Sequence, residues 1–222
     1  EFPHATQFRE FRKASRNRRL GGFTLLMRQH QVIRRMEPEH YDLPLVLQKV
    51  TRRVLANRGI LSEADLDFSL AGLLTTEQFT GIFTAADVIV NIANIGGNIL
   101  VVGDFDTDGA TSTALALKSL SAMGIENADF LVPNRFEFGY GLSPELVDVA
   151  HRDKNPDLII TVDNGISSIE GVRRAKELGI KVVVTDHHLP GKELPEAEAI
   201  VNPCIEHNCF QSPNLAGVGV VF

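Results

Sequence analysis

After Gly96-Gly97 the chain alternates short runs in which successive residues are apolar or β-branched with longer stretches at helical spacing. Residues 99–102, 130–132, 158–162, 182–185 and 199–201 carry apolar side chains on consecutive positions, as strands covered on both faces must. Between them, residues 111–123, 144–151 and 168–178 read as helices, and Gly124 and Gly179 stand just past two helix ends, where a left-handed residue stops the coil. Strand and helix in alternation predict an α/β fold, a mostly parallel sheet with helices on both faces. Upstream, Leu43, Leu47, Val50, Val54 and Leu55, then Ala85, Val88, Ile89 and Ile92, recur at helical spacing, so a small helical layer precedes the sheet. Ser62 followed by Glu63, Ala64 and Asp65 has the order of a helix N-cap with an acidic first turn. Three segments result: a variable or disordered basic stretch over 1–40, a helical layer over 41–95 and an α/β core over 96–222.

Composition narrows the class. A chain of 222 residues with 44% apolar and 23% charged positions is ordinary for a globular protein of one or two domains, which excludes collagen-like, disordered and disulfide-stapled chains. No apolar run approaches the ~18 residues that cross a bilayer. The stretch 20–27 after Arg18-Arg19 is too short for a signal peptide and lacks a small-residue cleavage site, so a cytoplasmic protein with no membrane partner is expected. The net charge of −6 is uneven: residues 1–58 hold 13 Lys+Arg against 5 Asp+Glu, and the remainder 9 against 23. Cys204 and Cys209, with His207 between them, lack the second ligand pair of a thiolate metal site and read as reduced thiols. The Glu-Phe opening and an end inside an apolar run read as a piece of a longer protein.

In an open parallel sheet the chemistry collects beyond the carboxyl ends of the strands. Each strand here runs into polar residues at that point: Gly103-Asp104-Phe105-Asp106-Thr107-Asp108-Gly109, Pro133-Asn134-Arg135, Asp163-Asn164-Gly165, Asp186-His187-His188 and Asn202-Pro203. Three aspartates at spacing two repel one another unless a positive charge sits among them. A carboxylate-rich set with one or two histidines favours Mn²⁺ or Mg²⁺ over a thiolate-loving ion. More than four anionic ligands suit two ions sharing a bridging carboxylate, an arrangement that clamps a phosphodiester. Competing readings fail one by one. A calcium-hand loop needs Glu where Leu115 stands, the haloacid-dehalogenase pattern Asp-x-Asp-x-Thr is not met, and no Walker lysine follows Gly109. Taken singly, the acidic loop is a helix cap with Asp108 or Thr111 starting a helix at 111, Asp163-Asn164-Gly165 is a turn, and the histidines are surface residues. Their convergence on one rim favours ligands. Arg135 shares its loop with Phe136, Phe138 and Tyr140, a cation beside aromatic faces on which bases can stack.

These loops, together with Gly139-Tyr140-Gly141-Leu142-Ser143, Ile166-Ser167-Ser168, Leu189-Pro190 and Leu215-Ala216-Gly217-Val218-Gly219-Val220, closely resemble the DHH phosphoesterase family from about Leu43 to Phe222. Within it the chain is similar to exonucleases specific for single-stranded DNA. The resemblance implies two Mn²⁺ or Mg²⁺ ions and hydrolysis of DNA from a 5′ end to 5′-mononucleotides in repair and recombination. It implies a monomer working beside single-strand-binding protein and a helicase. Asp106, Asp108 and His187 would be metal ligands, Asp163 would bridge the ions, and Asp104 would be a further ligand or its neighbour. His188 would contact the scissile phosphate or the attacking water, Asp186 would orient the histidine pair, and Asn134, Arg135, Phe136 and Tyr140 would lie along the DNA. Such enzymes continue into a further aspartate motif, a Gly-rich phosphate-binding domain and an OB-type domain, so this piece is expected to be weak or inactive alone. Two other readings are a phosphodiesterase of short oligoribonucleotides or cyclic dinucleotides, and a non-catalytic replication scaffold, in which the ligands would have decayed.

Overall fold

The computed structural model describes residues 37–67, 69–206 and 208–222. In chain order the elements are α1 (Lys49–Ala56), α2 (Ile82–Asn94), β1 (Ile99–Val102), α3 (Thr107–Ala122), β2 (Ala128–Leu131), α4 (Arg135–Phe138), α5 (Pro144–Lys154), β3 (Leu158–Val162), α6 (Ile169–Glu177), β4 (Lys181–Thr185), β5 (Ala199–Val201) and α7 (Gly217–Val221). No residue of β1 is more than 2% exposed, because strands flank both its edges and helices cover both its faces. Val101 pairs with Phe130 of β2 on one side and with Ile160 of β3 on the other. The sheet is parallel throughout, in the order β2-β1-β3-β4-β5.

Side chains alternate between the faces, as the two-residue repeat of a strand requires. Ile99, Val101, Ile160 and Val183 pack with Ala85 and Ile92 of α2, Ala116 and Leu120 of α3 and Val220 of α7. Leu100, Val102, Ile159, Val182 and Val184 pack with Leu146, Val147 and Ala150 of α5 and Val172 and Ala175 of α6. The distribution follows from handedness. The chain moves one way from β1 to β2 and the opposite way from β2 to β3, so right-handed crossovers place α3 and α5 on opposite faces. Each wholly buried aliphatic side chain contributes about 1.5–3 kcal/mol to holding these layers.

The strands at 99–102, 158–162 and 199–201 have the bounds that their apolar runs predict. β2 instead starts at Ala128, two residues before its run, because it is an edge strand with Phe130 half exposed and its pairing, not burial, sets its ends. Gly124 and Gly179 follow α3 and α6 with φ of 82° and 75°. The helix expected at 111 starts at Thr107: Asp106 is the N-cap, its Oδ1 accepting the Gly109 N–H at 3.0 Å, so the acidic loop is the helix's own first turn. The 62–66 stretch forms only a 3₁₀ turn, Ala64–Leu66, with the capping reversed. Asp65 reaches back to accept the amides of Leu61 and Ser62, both at 2.9 Å, and the Ser62 hydroxyl at 3.0 Å.

The chain divides into two compact units between Phe68 and Ser69. In the first, a bridge joins Asp42 to Ser62, and Leu43 and Ala56 are buried. The second holds α2 and the whole sheet. The basic stretch expected over 1–40 falls outside the described residues as far as 36, as does His207; neither Cys204 nor Cys209 is in a disulfide. Among the described residues no helix is long and apolar enough to cross a membrane.

Candidate metal centre

Strand order reverses between β1 and β3, and at such a switch point the loops leaving the two strands diverge and leave a crevice. Asn164 links the two strand ends at this point. Its amide donates to Val102 O at 3.1 Å and to Val162 O at 2.9 Å, tying the carboxyl ends of β1 and β3 together at a residue only 1% exposed. Asp163 precedes it with φ 61°, a left-handed conformation that Asp and Asn tolerate better than other residues with a Cβ, and which turns the carboxylate inward.

Two groups of ligand atoms lie on this rim and share one residue. The carboxylates of Asp104, Asp106 and Asp163 offer oxygens within 4.8 Å of one another, and so do Asp163, His187 and His188 with one oxygen and two ring nitrogens. His187 Nε2 stands 3.0 Å from Asp163 Oδ1 and 3.5 Å from Asp108 Oδ2. Asp108, in the first turn of α3, belongs to neither group and is engaged at α7 as well. Its Oδ2 accepts the Gly217 N–H at 2.7 Å and its Oδ1 the Val218 N–H at 2.8 Å, at the amino end of α7. Asp186 is buried and fully used: Oδ2 accepts the Ile166 N–H, and Oδ1 faces the amides of His187 and His188 at 2.8 and 3.1 Å and His188 Nδ1 at 2.7 Å. One carboxylate thus fixes the backbone of the histidine pair and the ring of His188.

The charge balance of the cluster fits a cation. Asp163 is 2% exposed, and its Oδ1 accepts no hydrogen bond among the described residues; the 3.0 Å approach of His187 Nε2 is a close contact, not an aligned bond. Burial, then the charges of Asp108 and Asp106, push its carboxyl up to about 6, against an opposing pull from His187 and His188. A buried oxygen lacking a donor, beside two more carboxylates and an imidazole nitrogen, is the environment that a hard or borderline divalent ion relieves.

Of the residues expected along DNA, Tyr140 reaches the cluster: its hydroxyl is 3.2 and 3.3 Å from the two ring nitrogens of His188. Asn134 Oδ1 accepts the Phe136 N–H at 3.1 Å and starts the single turn of α4. Phe136 is wholly exposed. Arg135 opens α4, and the role expected of its side chain lies outside what the structure describes. A cavity of about 460 Å³ opens beside the cluster, lined by Tyr140, Leu142, Ile166, Ser168, Asp186 and His188 among others. The sequence placed Asn164 in a rim loop, as a turn if taken singly, without its bonds to two strand ends; it gave no role to Gly217 and Val218 and did not place Tyr140 against His188. Only the position of Asn164 directly after a strand-end Asp hinted at its role.

Residues 98–222 match the model of the DHH family, N-terminal domain. The single-stranded-DNA-specific exonuclease RecJ of Escherichia coli K12 is 52% identical over 197 residues, which are 89% of this chain and 34% of that protein. This chain spans between about a fifth and a third of the length of the curated relatives it matches. Among solved structures, exonuclease RecJ bound to manganese aligns at 34% identity with a TM-score of 0.60, over 67% of this chain and 37% of that one. RecJ from Thermus thermophilus in complex with Mn²⁺ aligns at 33% identity with a TM-score of 0.59, over 76% and 23%.

Proposed function

Because this chain belongs to the DHH family, we propose that it carries the two-ion phosphodiesterase centre of a 5′ to 3′ exonuclease acting on single-stranded DNA. The observation that carries the reading is the pair of ligand groups sharing Asp163 at the switch point of the sheet. Asp104, Asp106 and Asp163 would hold one Mn²⁺ or Mg²⁺, and Asp163 and His187, with His188 and Asp108 beside them, the other. Bound there, the ions supply positive charge to a phosphodiester and ease the ionisation of water.

The chain's own groups do the rest. Asp186 fixes the Nδ1 side of His188, so Nε2, beside the Tyr140 hydroxyl, is the nitrogen that would donate to a phosphate oxygen or take a proton from water. Tyr140 limits the swing of that ring. The α4 turn, with Asn134, Arg135 and the exposed face of Phe136, offers backbone contacts and a stacking surface to an unpaired strand. DNA repair and recombination in the cytoplasm is the setting that such an activity suits. The named function of the manganese-bound relatives favours this reading over a dinucleotide phosphodiesterase.

The test uses the full-length gene product, Mn²⁺ and a long 5′-phosphorylated single strand labelled at its 5′ end. Release of labelled mononucleotide, abolished by Asp163→Ala, is the expected result. Hydrolysis of dinucleotides only, or near-normal turnover by Asp163→Ala, contradicts it.

A further inference from the structure

The amino end of α7 meets the proposed metal centre twice. Its first two amides donate to the two oxygens of Asp108, Gly217 to Oδ2 and Val218 to Oδ1. The same Gly217 lies flat against the other carboxylate: a Cβ built there would stand 2.7 Å from Cβ and Oδ1 of Asp163 and 2.8 Å from its Cγ. Real side chains do not approach so closely, and Asp163 has no room to retreat, being 2% exposed with its backbone held at φ 61°. The glycine sits in a helix with ordinary φ, so conformational freedom does not explain it; the missing side chain does.

We infer that Gly217 is a positioning residue of the metal centre: its amide and that of Val218 clamp Asp108, while its bare Cα lets Asp163 sit between the two groups of ligands. The inference rests on the two-ion reading and deepens it. Asp108 stands on α3, Asp163 follows β3, and the α7 junction sets the spacing between them with backbone atoms alone. A methyl at 217 has two ways out. Either it displaces the Asp163 carboxylate, or it lifts α7 from Asp108 and frees both amide contacts. Both outcomes change the spacing of the ligands.

Three forms of the full-length gene product separate this from a packing role: wild type, Gly217→Ala, and Gly219→Ala as control. Gly219 lies in the same helix, and a Cβ there would meet only the flexible Leu215 side chain, at 3.1 Å. Expected for Gly217→Ala is a loss of Mn²⁺ affinity of about tenfold or more, the scale seen when residues supporting a metal's ligands are changed. Its nuclease activity should return towards normal as Mn²⁺ is raised, whereas Gly219→Ala should bind Mn²⁺ like the wild type. Equal Mn²⁺ affinity in wild type and Gly217→Ala overturns the inference while leaving the two-ion reading intact; a wild type that binds no Mn²⁺ overturns that reading and the inference with it.

The second measurement needs no variant and decides the matter if Gly217→Ala fails to fold. Hydrogen exchange of the wild type, followed by mass spectrometry on peptides covering 215–222, should slow when Mn²⁺ is added, while peptides of α5 remain unchanged. Identical exchange at 215–222 with and without Mn²⁺ refutes the coupling.

Discussion

Asp163 concentrates the physical tension of this molecule in one side chain. Its carboxyl, pushed up to about 6 by burial and by Asp108 and Asp106, titrates near 3.8 in the unfolded chain. A proton therefore binds the folded form more tightly. The resulting stabilisation is complete below pH 3.8 and is lost as pH rises through about 6, so that at pH 8 the ionised carboxylate costs the metal-free fold on the order of 2–3 kcal/mol. Asn tolerates the same left-handed backbone and carries no charge. Asp163→Asn should raise the melting temperature of the metal-free protein at pH 8, leave it nearly unchanged at pH 4, and abolish nuclease activity. A melting temperature that falls at pH 8 would show that the carboxylate is already neutralised within the protein. The same titration predicts that Mn²⁺ affinity of the wild type drops steeply as pH falls below about 6, where protons compete for this oxygen, which a calorimetric titration at pH 5 and pH 8 would measure.

At the scale of elements, the centre depends on how β1, β3 and β4 are held at their carboxyl ends. Removing the Asn164 side chain leaves the carbonyls of Val102 and Val162 without its donor in a buried place. Asn164→Ala should lower stability by about 2–3 kcal/mol in urea denaturation; a loss below about 0.5 kcal/mol would mean that other groups hold the two strands. On α4, Phe136 is wholly exposed, and stacking of one base is worth about 1–3 kcal/mol, so Phe136→Ala should weaken single-strand binding roughly tenfold. Unchanged affinity would move the strand elsewhere. The inner strands were legible because burial on both faces leaves an uninterrupted apolar run. The edge strand β2 was less so, since one side faces solvent and its pairing, not its hydrophobicity, fixes where it begins. The acidic loop was legible as chemistry but not as structure: Asp106 starting α3 four residues early depends on one hydrogen bond to Gly109. Asn164 and Gly217 were opaque because their roles lie in contacts with residues 62 and 54 positions away along the chain.

For the molecule as a whole, charge and length set what this chain can do unaided. Residues 69–222 hold 9 Lys+Arg against 20 Asp+Glu, so the unit carrying the centre repels a phosphate backbone unless cations neutralise its rim. Single-strand binding by the 222-residue chain should therefore be weak at physiological salt and strengthen on adding Mn²⁺. Its nuclease rate should fall well below that of the full-length gene product, because paired-ion catalysis needs both reacting oxygens fixed. Comparable rates would mean that the ligands described above suffice. The sharing of Asp163 by two ions is the centre of this account, and electron paramagnetic resonance of the full-length protein titrated with Mn²⁺ tests it most directly. Two bound ions per chain with a spin-coupled signal, replaced in Asp163→Asn by uncoupled or absent Mn²⁺, is the predicted result; saturation at one ion, or a coupled pair that survives Asp163→Asn, would contradict it.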